Sequence, residues 1–127
     1  MRICLDLDGV ICDFRRPGET YADVRPIPGA ADRIRGLRAA GHHVIIQTAR
    51  HMKTTGGNVG LVIARQGQTT LDWLDRNGIE FDEIHFGKPY ADVYIDDNAL
   101  RFQSWDDVAP DGMNLPMSSE KAAGAVP

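Results

Sequence analysis

The alternation of short apolar runs with helix-like segments is the feature that most constrains this 127-residue chain. Residues 2–7 and 43–47 are short runs rich in Ile, Val and Leu, which is typical of strands buried in a parallel sheet. Residues 83–86 and 92–95 predict a third and a fourth strand. The order favours an α/β fold with a doubly wound, Rossmann-like, mainly parallel sheet and helices on both faces.

Two helices are expected between the strands. Apolar residues recur with the helical period over residues 30–37, and Gly41 is a stop signal for this first helix. A second helix is expected to begin at Thr69 or Thr70 and to end at residues 77–78. Residues 51–67 contain several glycines without a clear period, and a loop of that length in a small domain usually has a function.

Composition and charge limit the functional classes. With 43% hydrophobic and 25% charged residues, the chain resembles an ordinary soluble domain, and it has no apolar run of the roughly 18 residues that span a membrane. The formal net charge of −4 disfavours broad electrostatic binding to nucleic acid or to anionic lipid. We expect a cytoplasmic protein with one domain over residues 1–108 and a mobile tail over residues 109–127.

The two cysteines, Cys4 and Cys12, are too few for a disulfide framework and lack the spacing of a zinc site. We expect both to be buried, unreactive thiols.

Chemically active side chains follow the ends of all four predicted strands. They are Asp6 and Asp8 after the first, Thr48 after the second, Lys88 after the third, and Asp96 and Asp97 after the fourth. Because the carboxyl ends of parallel strands share one edge of a sheet, these groups are expected to converge. Any single Asp or Lys here has an ordinary explanation in a turn or on the surface, but the combination at four strand ends favours a site.

Converging carboxylates repel one another, and a divalent cation relieves this repulsion. Mg²⁺ fits best, because it accepts a few carboxylates together with waters and a substrate phosphate. Its candidate ligands are Asp6, Asp8, Asp96 and Asp97.

Four segments resemble, in order, the four motifs of the haloacid dehalogenase (HAD) superfamily. They are Asp6-Leu-Asp-Gly-Val10, Ile45-Ile-Gln-Thr48, Lys88 and Tyr94-Ile-Asp-Asp97. The resemblance spans residues 1–108. Within the superfamily, three further segments are similar to small capless phosphatases of bacterial capsule and surface-polysaccharide pathways, namely residues 48–60, 73–74 and 87–90.

The resemblance implies a two-step phosphatase. Asp6 would be the nucleophile that forms an aspartyl phosphate. Asp8 would protonate the leaving alcohol and then accept a proton from the hydrolytic water. Lys88, Thr48 and the amide of Ala49 would bind the phosphoryl oxygens.

The resemblance also implies a metal ligand set and an open pocket. Mg²⁺ would be held by Asp6, the carbonyl of Leu7 and Asp97, with Asp96 as a second ligand or as a partner of Lys88. Residues 9–27 and 51–67 are too short for a cap domain. Candidates for contacts to the rest of the substrate are Arg50, Lys53 and Asn58.

The expected activity is hydrolysis of a small phosphorylated metabolite, such as a sugar phosphate. A phosphatase of polynucleotide ends is an alternative within the same chemistry, and the net charge of −4 weighs against it. A phospho-acceptor switch domain is an alternative of another class, which would stop after one phosphate per chain. A homo-oligomer is expected, because a second copy can wall an uncapped pocket; no membrane partner is expected.

Overall fold

Three parallel strands and the helices that connect them form the framework of the protein. The structure is a computed structural model that describes residues 1–124. In chain order the elements are β1 (Arg2–Asp6), α1 (Ala30–Ala39), β2 (His43–Thr48), α2 (Val59–Arg76), β3 (Glu83–Phe86), a 3₁₀ turn (Trp105–Asp107) and α3 (Ser119–Ala122). Within these residues, no helix combines the length and the apolarity needed to cross a bilayer.

The sheet has the order β1-β2-β3, and both pairs are parallel. Arg2 lies opposite His43, and Thr48 lies opposite Phe86, so the carboxyl ends of all three strands share one edge. This confirms the α/β class. A doubly wound sheet reverses its strand order at a switch point, and the strands within residues 1–124 advance in one direction only.

The first helix was correctly predicted. α1 buries Ala30, Ile34 and Leu37 against the sheet, and the chain leaves it through Gly41 at a φ of 92°. A left-handed residue of this kind ends a helix, and glycine adopts it without strain.

The prediction of a strand at residues 92–95 is wrong. Every residue from 89 to 100 is exposed, and this segment is irregular. The carboxylate of Asp96 accepts the amide of Asn98, a local turn that competes with extended pairing. A four-residue run has no stability as a strand without a partner, and the described part of β1 pairs with β2 alone.

The prediction that α2 begins at Thr69 or Thr70 is also wrong. The helix begins ten or eleven residues earlier at Val59, where the side chain of Asn58 accepts the amide of Leu61 at 3.1 Å. The glycines of this stretch suggested a loop, but helical packing overrides their low propensity. The buried face runs through Val62, Gly67, Thr70, Trp73 and Leu74.

Part of the segment after residue 108 packs on α1. The carbonyl of Pro110 lies against Gly36, and the carbonyl of Asp111 is 2.7 Å from Nε2 of His42. Residues 125–127 of the expected tail lie outside the described residues.

This packing makes Gly36 an unusual helical glycine. A Cβ there would lie 2.6 Å from the carbonyl oxygen of Pro110. Gly36→Ala is therefore expected to lower the free energy of unfolding by about 1 to 2 kcal/mol, although Ala normally favours a helix. Chemical denaturation measures this, with Gly60→Ala as the matched control because its nearest contact is an ordinary 3.4 Å. Equal stability changes for the two variants would contradict the packing.

Candidate functional site

The ends of the three strands are joined at Lys88. Its amide and that of Gly87 both donate to the carbonyl of Thr48, at 3.1 and 3.2 Å. Its Nζ lies 3.5 Å from Oδ2 of Asp6 at the end of β1. Gly87 has a φ of 106°, and a Cβ there would lie 3.0 Å from Val59, so this turn requires glycine. The result is an ammonium group beside the Asp6 carboxylate.

The turn after β1 is organised around one carbonyl. The oxygen of Leu7 accepts the amides of Val10, Ile11 and Cys12, while the amide of Leu7 donates to Oδ1 of Asp6 at 2.9 Å. A carbonyl has two lone pairs, so three amide contacts occupy this oxygen. In this arrangement it has no free electron pair for a metal ion.

Asp8 is held by a buried arginine. The guanidinium of Arg50 makes a bidentate contact, with Nε and Nη2 each 3.0 Å from one carboxylate oxygen of Asp8. The Arg50 side chain is fully buried, whereas that of Asp8 is 21% exposed. Two parallel charge-assisted hydrogen bonds fix the orientation of the Asp8 carboxylate. One lone pair of Oδ2 is left for proton exchange.

The rest of the Arg50 side chain is also enclosed. Nη1 donates to the hydroxyl of Thr70 at 3.1 Å, and the guanidinium carbon lies 4.2 Å from the ring centre of Tyr21. The Arg50 amide donates to the hydroxyl oxygen of Thr48 at 3.1 Å. Arg50 is thus committed to Asp8 and its neighbours, which differs from its expected contact with substrate.

The thiol of Cys12 lies beneath this pair, 3.3 Å from Oδ1 of Asp8. Burial, followed by the negative charge of Asp8, raises the pKa of Cys12 to about 12. The expectation of an unreactive buried thiol therefore applies to Cys12. It is wrong for the location of Cys4, which is exposed on β1.

The two thiols are therefore expected to differ in reactivity. Because the thiolate is the reactive form, Cys12 is expected to resist a disulfide reagent at pH 8, whereas the accessible Cys4 is expected to be modified. Counting the modified thiols in the native protein and in denaturant measures this. Cys4→Ser is the control and is expected to abolish labelling of the native protein. Rapid labelling of that variant would contradict the enclosure of Cys12.

The structure does not bring Asp96 and Asp97 to this cluster. Both lie in the exposed segment of residues 89–100, where the carbonyl of Asp97 accepts the hydroxyl of Ser119 at 3.3 Å. Among residues 1–124 there is no group of three or more His, Cys, Asp or Glu side chains that could hold a metal. The expected convergence of four aspartates is absent there, and the arrangement does not fit a Mg²⁺ site.

The other predicted substrate residues have local roles here. Asn58 is exposed and caps α2. Thr48 is fully buried and orders the turn to Arg50. The carbonyl of Ala49 accepts the amide of Met52 at 3.0 Å. Lys53 lies 5.3 Å from the ring centre of Tyr90.

The cluster that does form contains five of the predicted residues: Asp6, Asp8, Thr48, Arg50 and Lys88. Sequence reasoning missed the supporting residues Tyr21, Cys12 and Thr70. Thr70 was considered only as a helix cap, and extending the helical period back to Val62 would have placed it on the buried face. The pairing of Asp8 with Arg50 has no local sequence signal.

Chemically, the cluster combines two carboxylates with two cations. The Asp6 side chain is 37% exposed and lies beside an ammonium group that attracts an anionic substrate. Asp8 is oriented and keeps a lone pair. This arrangement suits nucleophilic attack at one carboxylate and proton transfer at the other.

No family model matches the chain, and no curated protein matches it. Among solved structures, the chain is similar to an MCSG target from Vibrio cholerae, with 35% sequence identity and a TM-score of 0.67. The match covers 79% of this chain and 82% of the other.

Proposed function

We propose that this chain, which belongs to the same family as the Vibrio cholerae protein, is a phosphomonoester hydrolase that works through an aspartyl phosphate at Asp6. The observation that carries the proposal is the accessible Asp6 carboxylate beside Lys88, two residues before a carboxylate fixed by Arg50. The resemblance of four sequence segments to the motifs of the HAD superfamily gives it independent support.

The first step forms a bond between Asp6 and phosphorus and breaks the bond between phosphorus and the alcohol oxygen. The protonated form of Asp8 delivers its proton to that oxygen, so the alcohol leaves neutral and Asp8 becomes the carboxylate that Arg50 holds. In the second step water attacks phosphorus and gives a proton to Asp8, the bond to Asp6 breaks, and inorganic phosphate leaves. Both carboxyl groups return to their starting states, as turnover requires.

The cations have separate tasks in this scheme. Lys88 lies beside Asp6, where its charge offsets the negative charge of the incoming phosphate and of the transferring group. Arg50 orients Asp8 from behind and lies outside the reacting atoms. Thr48 acts through Arg50, because its hydroxyl orders the backbone that carries the guanidinium.

Mg²⁺ is part of the proposal on the strength of the motif resemblance alone. When bound, such an ion supplies charge neutralisation for the transferring phosphoryl group. The described arrangement does not provide its ligand set, so no step above depends on it. A chelator arm of the assay tests this part of the proposal.

The substrate class we propose is a small phosphorylated metabolite such as a sugar phosphate. The test is phosphate release by the purified protein from a panel of sugar, polyol and nucleotide monoesters and a 5′-phosphorylated oligonucleotide. Each ester is assayed with Mg²⁺ and with EDTA.

Many phosphates released per chain are expected. If release stops at about one phosphate per chain, the protein is a phospho-acceptor switch and not a phosphatase. If the oligonucleotide is the best substrate and its hydrolysis falls steeply as salt is raised, the substrate is a polynucleotide end and not a small metabolite.

A further inference from the structure

Lys88 supplies the positive charge beside Asp6, but the contact between the two side chains is loose. Its Nζ lies 3.5 Å from Oδ2 of Asp6, which is longer than an ordinary N–H···O hydrogen bond. Among residues 1–124 this is the single ion pair that Lys88 makes. A lysine side chain has a flexible four-carbon stem, so a further contact is needed to hold its ammonium group at one place.

The ring of Tyr94 provides that contact. Nζ of Lys88 is 4.2 Å from the ring centre, well within the roughly 6 Å over which an aromatic face attracts a cation. This attraction strengthens where water is excluded, and the Lys88 side chain is only 18% exposed. The ring therefore restricts the orientations of the Lys88 side chain and keeps its ammonium group near Asp6.

Tyr94 is itself anchored to the turn that carries Lys88. Its hydroxyl donates to the carbonyl oxygen of Pro89, the residue next to Lys88. Every residue from 89 to 100 is exposed, so burial does not fix this segment, and Tyr94 is 50% exposed. The two contacts of Tyr94 tie an exposed segment to the side chain beside Asp6.

An aromatic ring is a suitable support for a cation that binds an anionic substrate. An ammonium group has three N–H donors, and the ring and Asp6 engage at most two of them. A second carboxylate in place of the ring would also hold Lys88, but its charge would repel a phosphate group. The ring holds the cation without adding a negative charge.

We propose that Tyr94 is a positioning residue, whose ring holds the Lys88 ammonium at Asp6 and thereby raises its affinity for the phosphate group of the substrate. This inference rests on the proposed phosphatase function and adds a residue to it. Tyr94 acts through Lys88 and not on the reacting atoms.

The kinetic test compares two substitutions of Tyr94. Tyr94→Leu removes the ring and is expected to lower kcat/KM for the best ester about fivefold, as the loss of one cation–π contact implies. Tyr94→Phe keeps the aromatic face and is expected to stay within about twofold of wild type. Steady-state rates of the purified variants measure both effects.

Tyr90→Leu is the matched control. Tyr90 lies in the same segment, is 59% exposed and has its ring centre 5.3 Å from Nζ of Lys53. Lys53 makes no ion pair among residues 1–124, whereas Lys88 pairs with Asp6, so Tyr90→Leu is expected to leave kcat/KM unchanged. Equal losses in the two Leu variants, or a loss in Tyr94→Phe as large as that in Tyr94→Leu, would overturn the proposal and leave the phosphatase in place.

Nuclear magnetic resonance tests the contact without turnover. The chain has three lysines, and Lys88→Arg assigns the ε-methylene signal of Lys88. Protons above an aromatic face are shifted upfield, so this signal is expected upfield of that of the exposed Lys121. The shift should persist in Tyr94→Phe and disappear in Tyr94→Leu. A Lys88 signal that coincides with that of Lys121 in the wild type would overturn the proposal.

Titration of the same signal with inorganic phosphate separates this proposal from the phosphatase. Binding of phosphate, the product, requires no bond to break. We expect its dissociation constant to rise about fivefold in Tyr94→Leu and to stay within about twofold of wild type in Tyr94→Phe. That result supports the role of Tyr94 even if no ester is hydrolysed. Equal dissociation constants in wild type and Tyr94→Leu, or no response of the Lys88 signal to phosphate, would overturn it.

Discussion

Asp6→Asn is expected to lower kcat for phosphate release at least about 10³-fold, because an amide does not replace the attacking carboxylate. The fold is expected to survive, since the carboxamide oxygen of Asn can still accept the amide of Leu7, which donates to Asp6 at 2.9 Å in the wild type. Initial rates on the best ester of the panel measure the loss, and circular dichroism checks the fold.

The control for this substitution is Asp72→Asn. Asp72 is an exposed carboxylate on α2 that accepts the side-chain amide of Gln68. Its removal is expected to leave kcat unchanged. Acid-quenched labelling with a radioactive ester adds a second readout, because wild type should carry a phosphoryl group and Asp6→Asn should carry none. If the kcat of Asp6→Asn is within tenfold of the wild-type kcat, Asp6 is not the nucleophile.

Arg50→Met is expected to lower the free energy of unfolding by about 3 kcal/mol, the low end of the range for breaking a buried ion pair. The low end applies because the Asp8 side chain is 21% exposed, while that of Arg50 is fully buried. The substitution leaves Asp8 without its bidentate partner and Thr70 without a donor. Urea denaturation of purified variants measures the change.

Two further variants identify the cause of that loss. Arg2→Met removes an exposed ion pair with Glu83 and is expected to lower the free energy of unfolding by less than about 1 kcal/mol. Asp8→Asn combined with Arg50→Met removes the unpaired charge, so the double variant should be more stable than Arg50→Met alone. If Arg50→Met lowers the free energy of unfolding by no more than Arg2→Met does, the buried ion pair does not stabilise the fold as described.

Sequence patterns predicted well the parts of this protein whose signals are local. Neighbouring residues alone determine the buried runs of β1 and β2, the apolar period of α1 and the end of α1 at Gly41. Since parallel strands place their ends together, the proximity of Asp6 to Lys88 followed from topology alone.

The failures occurred where distant residues decide the outcome. The helical start at Val59 depends on burial of Gly67 and Thr70, which overrides the glycine signal. The pairing of Asp8 with Arg50 joins two turns that share no pattern. The run at 92–95 had the composition of a strand, but composition does not supply a neighbouring strand.

The residues of the cluster follow the ends of three different strands, and this determines when the site forms during folding. Asp6, Arg50 and Lys88 are separated along the chain by α1 and α2, so both crossover connections must close before the groups meet. Contacts between distant segments form late, because loop closure costs entropy before it brings stabilisation. Recovery of catalysis should therefore lag behind recovery of helical signal during refolding, which makes turnover a marker of the final native step.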